Sequence, residues 1–405
     1  MRRKLFILLC VAMTLVSCEK EKVYGRHKVL ILYSAGFNNL SSYLLEDIKE
    51  LSEGLVYPKH SSKGAILIFG RHTRDNGGKY TPELAPCLIH LYKDDDGSVT
   101  ADTLLTFTKD TKAANKSTMY IVLSHIKRKF PSQHYGMIFS SHATGWLPKG
   151  YYSNPVDEED SNIWGSKKKS IGADYEMVDG GRISHEMEIT EMAYSIPMKL
   201  DYLLFDACLM GGVEVAYELR KVCDKVGFSQ AEVLADGYNY TNLASHLIDF
   251  KVSSPEQVCK DYYEQYAKKS GVYQSATISL IKTSELEPLA QLCGRLFDKY
   301  REEILTLDKK SVQRYYRYKY HWFYDLQSII IQAGATEEEL AELEQALSAC
   351  VIYKAATPGF MEDSGGFPID IFSGLSMYLP DENWPTLNNH YKTLAWNKAT
   401  NLVNF

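Results

Sequence analysis

The chain has 405 residues, 45% hydrophobic and 24% charged, with 45 Lys and Arg against 51 Asp and Glu for a formal charge of -6. This excludes a disordered or fibrous chain, and the length allows two or three domains or one large α/β domain. A mildly acidic balance lacks the excess of Lys and Arg that neutralising a phosphate backbone requires, so no nucleic-acid partner is expected.

Residues 1–17 read as an export signal: Arg2, Arg3 and Lys4 precede an apolar run over 5–16. At 12 residues that run is shorter than the about 20 needed to span a bilayer as a helix. Leu15-Val16-Ser17-Cys18 sets a small residue before a cysteine and resembles the bacterial lipobox, which implies cleavage before Cys18 and a lipid on its sulfur. Residues 18–27, with Glu19-Lys20-Glu21-Lys22, then form a solvated tether. Losing Arg2, Arg3 and Lys4 takes the charge from -6 to -9. No second run approaches spanning length, so the membrane is a partner only through acyl chains on Cys18. The expected location is that of an exported bacterial lipoprotein of the cell envelope, at the outer membrane or cell surface.

Beyond the tether, short aliphatic runs at 28–33, 65–69, 136–140 and 202–205 end in small or polar residues and read as buried parallel strands. Amphipathic stretches at 40–51, 104–107, 120–130 and 186–196 lie between them, so the pattern is repeated βαβ and the fold class α/β. A helix is expected directly after Cys208, through Leu209, Val213, Ala216, Leu219 and Val222. Further strands are expected at 231–235, 276–281 and 375–379, and helices at 255–269, 285–305 and 336–349. The polar stretch 147–184, with Asp157-Glu158-Glu159-Asp160 and Lys167-Lys168-Lys169, reads as an exposed loop. Residues 28–250 are the expected core, interrupted by that loop, and 251–405 a C-terminal extension of the α/β domain.

Cys10 and Cys18 aside, six of the eight cysteines remain, none in a CxxC pair, which is too sparse for a disulfide framework or a structural zinc site. Two strand ends carry chemistry at the edge where open α/β sheets bind ligands. They are Ser140-Ser141-His142-Ala143-Thr144-Gly145-Trp146 and Phe205-Asp206-Ala207-Cys208-Leu209-Met210-Gly211-Gly212. If their strands are adjacent and parallel, His142 and Cys208 become neighbours. A thiolate attacks where a thiol does not, and a helix N-terminus or an imidazolium favours that anion. His142 would then relay protons, and the backbone N–H groups of Cys208 and Ala143 would hold an oxyanion.

The segment from Tyr202 to Leu219, with its Asp-Ala-Cys-Leu-Met-Gly block, and the preceding His142-Ala-Thr-Gly-Trp146 resemble the clostripain family (C11, clan CD) of caspase-fold cysteine peptidases. The resemblance extends from Lys28 to Pro380. It implies a caspase-like, mostly parallel sheet flanked by helices, with Cys208 as nucleophile and His142 as general acid/base. It implies polypeptide substrates cut after Arg or Lys, with Asp206 or Asp236 as the carboxylate of the first specificity pocket. It also implies activation by a cut between the catalytic segments, for which Lys149, Lys167, Lys168, Lys169 and Arg182 are the candidate bonds. The family often has Gly where Ala143 stands, which matters only if that turn needs φ > 0. No cofactor or metal is required. Some relatives use calcium, but Asp94-Asp95-Asp96-Gly97 has its Gly at the wrong offset for a calcium loop.

HExxH, GxSxG, Walker and GxGxxG motifs are absent. The mixed basic and aromatic run 314–324 reads as core with a solvated edge. The competing reading is a surface lipoprotein that keeps the fold without turnover and binds polypeptides or glycans.

Overall fold

The computed structural model describes residues 25, 27–73, 85–151, 170–178, 181–248, 254–317 and 320–405. Cys18 and Lys167, Lys168 and Lys169 lie outside them.

One nine-stranded sheet organises the chain: β1(Lys28–Gly36), β2(Gly64–His72), β3(Cys87–Lys93), β4(Val99–Thr106), β5(His134–Ser140), β8(Tyr202–Asp206), β9(Lys225–Phe228), β10(Thr277–Lys282) and β12(Val351–Ala356). Their order is β12-β10-β9-β8-β5-β1-β2-β3-β4. A hairpin of β6(Ile171–Val178) and β7(Gly181–Met187) stands apart, as do the short pairs β11(Tyr324–Asp325) with β15(Ser376–Met377) and β13(Gly359–Phe360) with β14(Phe367–Pro368). The five central strands β9-β8-β5-β1-β2 are parallel, and both edges are antiparallel. The sheet is therefore mixed with a parallel centre, within the expected α/β class.

Alternation along the strands divides the interior into two layers. Val29, Ile31, Tyr33, Leu67, Phe69, Met137, Phe139, Leu203 and Phe205 face one side. There they meet α2(Lys116–Lys129), α3(Ile189–Tyr194), α4(Val213–Leu219), α7(Leu286–Lys299), α9(Leu326–Gln332), α10(Glu337–Cys350), α11(Pro385–Tyr391) and α12(Ala395–Thr400). Leu30, Leu32, Ile66, Ile68, Ile138, Leu204, Ile278 and Leu280 face the other, against α1(Ser41–Glu53), α5(Tyr240–Ile248) and α6(Pro255–Ala267). The short α8(Arg301–Thr306) follows α7 after a break at Tyr300, so the helix expected over 285–305 is two. β10 and β12, from the 251–405 half, extend the same sheet.

Several expectations fail for local reasons. Residues 104–106 end β4 and Phe107 follows it; burial along the strand alternates with period two over 99–104 instead of showing a helical stripe. No strand forms at 231–235; the ladder uses β9 instead, and the Ser229 and Gln230 side chains bond across to Thr277 and Ser279 of β10. The stretch 186–196 is split between the end of β7 and α3. Within 147–184 the β6–β7 hairpin is packed, not exposed: Ser170, Ile171, Ala173, Asp174 and Tyr175 are buried, and the Asp174 charge is answered by Arg71 at 2.5 Å. The run 314–324 does bury Tyr315, Tyr316, Trp322, Phe323 and Tyr324, and Tyr324 opens β11.

Candidate active site

β5 and β8 pair in parallel with Ser140 opposite Asp206, and the ladder continues one bond further, from Ser141 N–H to Asp206 O at 3.3 Å. His142 and Cys208 each stand two residues past this matched pair. Two chain segments 66 residues apart in sequence therefore leave the sheet side by side, about 4.8 Å between strand axes. They stay together beyond the sheet. Gly145 adopts φ +62°, and a Cβ there would lie 2.5 Å from the Leu209 carbonyl oxygen. Only a residue without a side chain lets the histidine turn approach the cysteine loop this closely.

The histidine turn is tied down from three directions. Gly172 N–H donates to His142 O at 2.9 Å and Thr144 N–H to Ser170 O at 2.8 Å, so the β6–β7 hairpin backs the turn. The imidazole stacks on Tyr175, with centroids 6.2 Å apart. Its Nε2 lies 2.8 Å from Asn39 Oδ1. With the amide oxygen as the acceptor, Nε2 is the donor of this contact, which fixes the orientation of the ring. Asn39 was missed in the sequence. It follows β1 at the point where the strand order reverses between β5 and β2, and strand-end reasoning applied to β1 as well as to β5 and β8 would have found it. Ala143 has no positive φ; the left-handed residue is Gly145, so alanine in place of glycine costs no backbone strain.

On the cysteine side the expected helix does not begin at residue 209. A loop runs from Ala207 to Gly212, with Leu209 at φ +60°, and α4 starts at Val213 with seven residues. No helix N-terminus therefore adjoins Cys208 directly. Backbone groups adjoin the sulfur instead: Val233 N–H donates to Cys208 Sγ at 3.3 Å, and the thiol faces Val233 O at 3.8 Å. Leu209 N–H donates to Ala231 O and Gly211 N–H to Ser229 O, both at 2.8 Å. Residues 229–233 hold the loop instead of forming a strand. Cys208 is half-buried, whereas Cys223, Cys259, Cys293 and Cys350 are buried, and burial pushes the Cys223 and Cys350 thiols up to about 12.

Asp206 and Asp236 flank one turn in unlike settings. Asp206 is 7% exposed; Tyr240 donates to its Oδ2 at 2.9 Å, and a Cβ on Gly237 would strike that oxygen at 2.3 Å. Burial pushes its carboxyl up to about 6, against the opposing pull of Tyr240 and the Tyr238 backbone. Asp236 is turned outward and pairs with Lys269 at 2.9 Å. It lines an acidic cavity of about 620 Å³ with Glu50, Asp261 and Glu264.

The clostripain family's sequence model matches residues 32–405. The chain belongs to the clostripain family. It is 24% identical over 241 residues to clostripain of Hathewaya histolytica, a match covering 56% of this chain and 43% of that protein. An inactive zymogen C11 protease from Parabacteroides distasonis superimposes with a TM-score of 0.74 at 27% identity, over 92% of this chain and 97% of the other. A secreted C11 cysteine protease from Bacteroides thetaiotaomicron, in complex with an irreversible peptide inhibitor, gives 0.73 at 25% identity over 92% and 98%.

For a clostripain-family chain the remaining candidates sort by backbone. Lys149 lies in a turn before Gly150 and pairs with Glu191 at 2.5 Å. Arg182 is a ladder residue of β7, opposite Met177. Asp94, Asp95, Asp96 and Gly97 form the β3–β4 turn, where Asp94 and Asp96 carboxylates accept the Asp95 and Ser98 N–H groups at 2.9 and 2.8 Å. Among the described residues no three His, Cys, Asp or Glu side chains gather as metal ligands, and no helix is long and apolar enough to cross a membrane.

Proposed function

We propose that this clostripain-family chain is a cysteine endopeptidase cutting after Arg or Lys through a Cys208–His142 dyad. The observation that carries the reading is the in-register delivery of both residues from β5 and β8, with Gly145 seated on Leu209. The Cys208 sulfur, as thiolate, attacks the scissile carbonyl. Val233 N–H and an imidazolium on His142 favour the anion, and the N–H groups of Cys208 and Ala143 receive the oxyanion. His142 Nδ1 carries the thiol proton to the leaving amine; the same nitrogen then takes a proton from water as it attacks the thioester. Asn39 keeps Nε2 protonated throughout.

Asp206 is the better carboxylate for a basic side chain, because Asp236 already pairs with Lys269. A cation at Asp206 meets a charge held in a poorly solvated place, where attraction is strong. Activation by self-cleavage belongs to the proposal, at Lys167, Lys168 or Lys169 ahead of Lys149. Arg182 is the poorest candidate, since a protease needs extended backbone and β7 is committed to its hairpin. The lipid on Cys18 completes the reading. It accords with export, as the neighbour from Bacteroides thetaiotaomicron is described as secreted.

The test is a peptide-library digest by the wild type and by Cys208→Ala. Cuts after Arg and Lys by the wild type alone are expected. Equal profiles from the two proteins sink the enzyme reading and leave a binding lipoprotein.

A further inference from the structure

Behind the dyad, three segments meet beside Gly212, and each leaves a buried polar atom without a partner. Glu214 is fully buried at the start of α4; its Oε1 accepts the Tyr378 N–H at 2.8 Å and the Tyr391 hydroxyl at 2.9 Å, while Oε2 has no hydrogen-bond partner. Trp146, which ends the histidine turn, is 1% exposed and its Nε1 is unpartnered. Ser376 in β15, bound through its N–H to Gly211 O at 2.8 Å, has an unpartnered Oγ.

The three converge on one point. From the position a Gly212 Cβ would occupy, Glu214 Oε2 is 2.7 Å away, Trp146 Cδ1, bonded to Nε1, 3.6 Å, and Ser376 Oγ 3.7 Å. Gly212 has an ordinary φ of -82°, so glycine is needed here for space and not for backbone freedom. Buried polar atoms left unpaired cost stability, and convergence of two to four of them is the condition for an internal water.

We propose that Glu214, Trp146 and Ser376 form a buried water site beside Gly212, which clamps the histidine turn to the cysteine loop and makes Glu214 a positioning residue for the dyad. The indole N–H donates to the water, the Ser376 hydroxyl donates or accepts, and Glu214 completes the set. Burial pushes the Glu214 carboxyl up to about 7 against the pull of the Tyr378 N–H, its own N–H and the Tyr391 hydroxyl. A water donates to Glu214 Oε2 when the carboxyl is charged and accepts from it when it is protonated. Through it the turn carrying His142 and the loop carrying Cys208 share one anchor with the C-terminal segment, although Trp146 and Ser376 lie 230 residues apart.

The clamp's catalytic role rests on the peptidase reading; the water site does not. A high-resolution crystal structure of the mature protein should show a water bonded to Glu214 Oε2, Trp146 Nε1 and Ser376 Oγ. Space without a water there, or Glu214 bonded directly to Ser376, overturns the site. In kinetics, Ser376→Ala and Trp146→Phe should each lower kcat about tenfold with KM unchanged, the scale expected when reacting groups are slightly misplaced. The double variant should be no worse than the worse single, because both act through one water. Additive losses, or losses confined to KM, overturn the clamp. Gly212→Ala, which fills the space, should reproduce the kcat loss without the double variant's chemistry. A wild type that cuts nothing, with the water in place, removes the dyad reading and the clamp's role together while the site stands.

Discussion

The two turns that carry the candidate dyad are built differently. The histidine turn leans on side chains and on an insertion: Asn39 holds the ring, Tyr175 stacks on it and the β6–β7 hairpin backs it. The cysteine loop is held almost wholly by peptide groups, with Val233, Ala231 and Ser229 binding Cys208, Leu209 and Gly211. Under the proposed self-cleavage, the difference sets which turn a cut would affect. A cut in the chain between residues 147 and 184 reaches the hairpin and the histidine, and leaves the nucleophile's support intact.

The largest effects should come from breaking the contact between the turns. Gly145→Ala places a Cβ 2.5 Å from the Leu209 oxygen on left-handed backbone. The backbone penalty alone is about 1–2 kcal/mol, so thermal unfolding should shift down measurably and turnover fall at least a hundredfold. Unchanged melting and turnover would mean that the turns are not locked together. Asn39→Ala strikes only the histidine side: kcat should drop about ten- to hundredfold from misorientation of the ring, with KM and melting little changed. A loss confined to KM would place Asn39 in substrate binding instead.

A pH profile sharpens the contrast between the carboxylates. Asp206 is pushed up to about 6, so its charge is present above that pH and lost as pH falls through it. The preference for an arginine substrate over its uncharged citrulline counterpart should therefore collapse between pH 7 and 5; the ratio cancels titration of the dyad. A ratio flat with pH contradicts the assignment. The smallest effect is Lys269→Ala. Its exposed ion pair with Asp236 is worth about 0–1 kcal/mol, and freeing that carboxylate should improve binding of basic substrates only a few-fold in KM, whereas Asp206→Asn should abolish the preference.

The central strands were legible because residues such as Leu30, Ile31 and Leu32 must be apolar on both faces of a buried parallel sheet. The antiparallel edge was not: β4, half exposed, shows at its end only Leu104 and Leu105, followed by Phe107, apolar residues that a helix would also carry. Cys208 and His142 could be read from strand ends. The loop after Cys208 could not, since Leu209 takes positive φ without the glycine that normally signals it. Its support at Val233 lies in backbone hydrogen bonds, which leave no mark on side-chain pattern. Asp206 and Asp236 look alike in sequence, and only Tyr240 and Lys269, brought in by α5 and the end of α6, distinguish them.

The most direct measurement is the rate of alkylation of the folded protein by iodoacetamide near pH 6.5, mapped by cysteine and compared between the wild type and His142→Ala. A working sulfur–imidazole pair predicts modification at Cys208, about tenfold or more faster than an ordinary thiol with a pKa near 8.5, slowed to the ordinary rate when the imidazole is removed, with Cys223, Cys259, Cys293 and Cys350 untouched. Equal Cys208 rates in the two proteins would contradict the pairing.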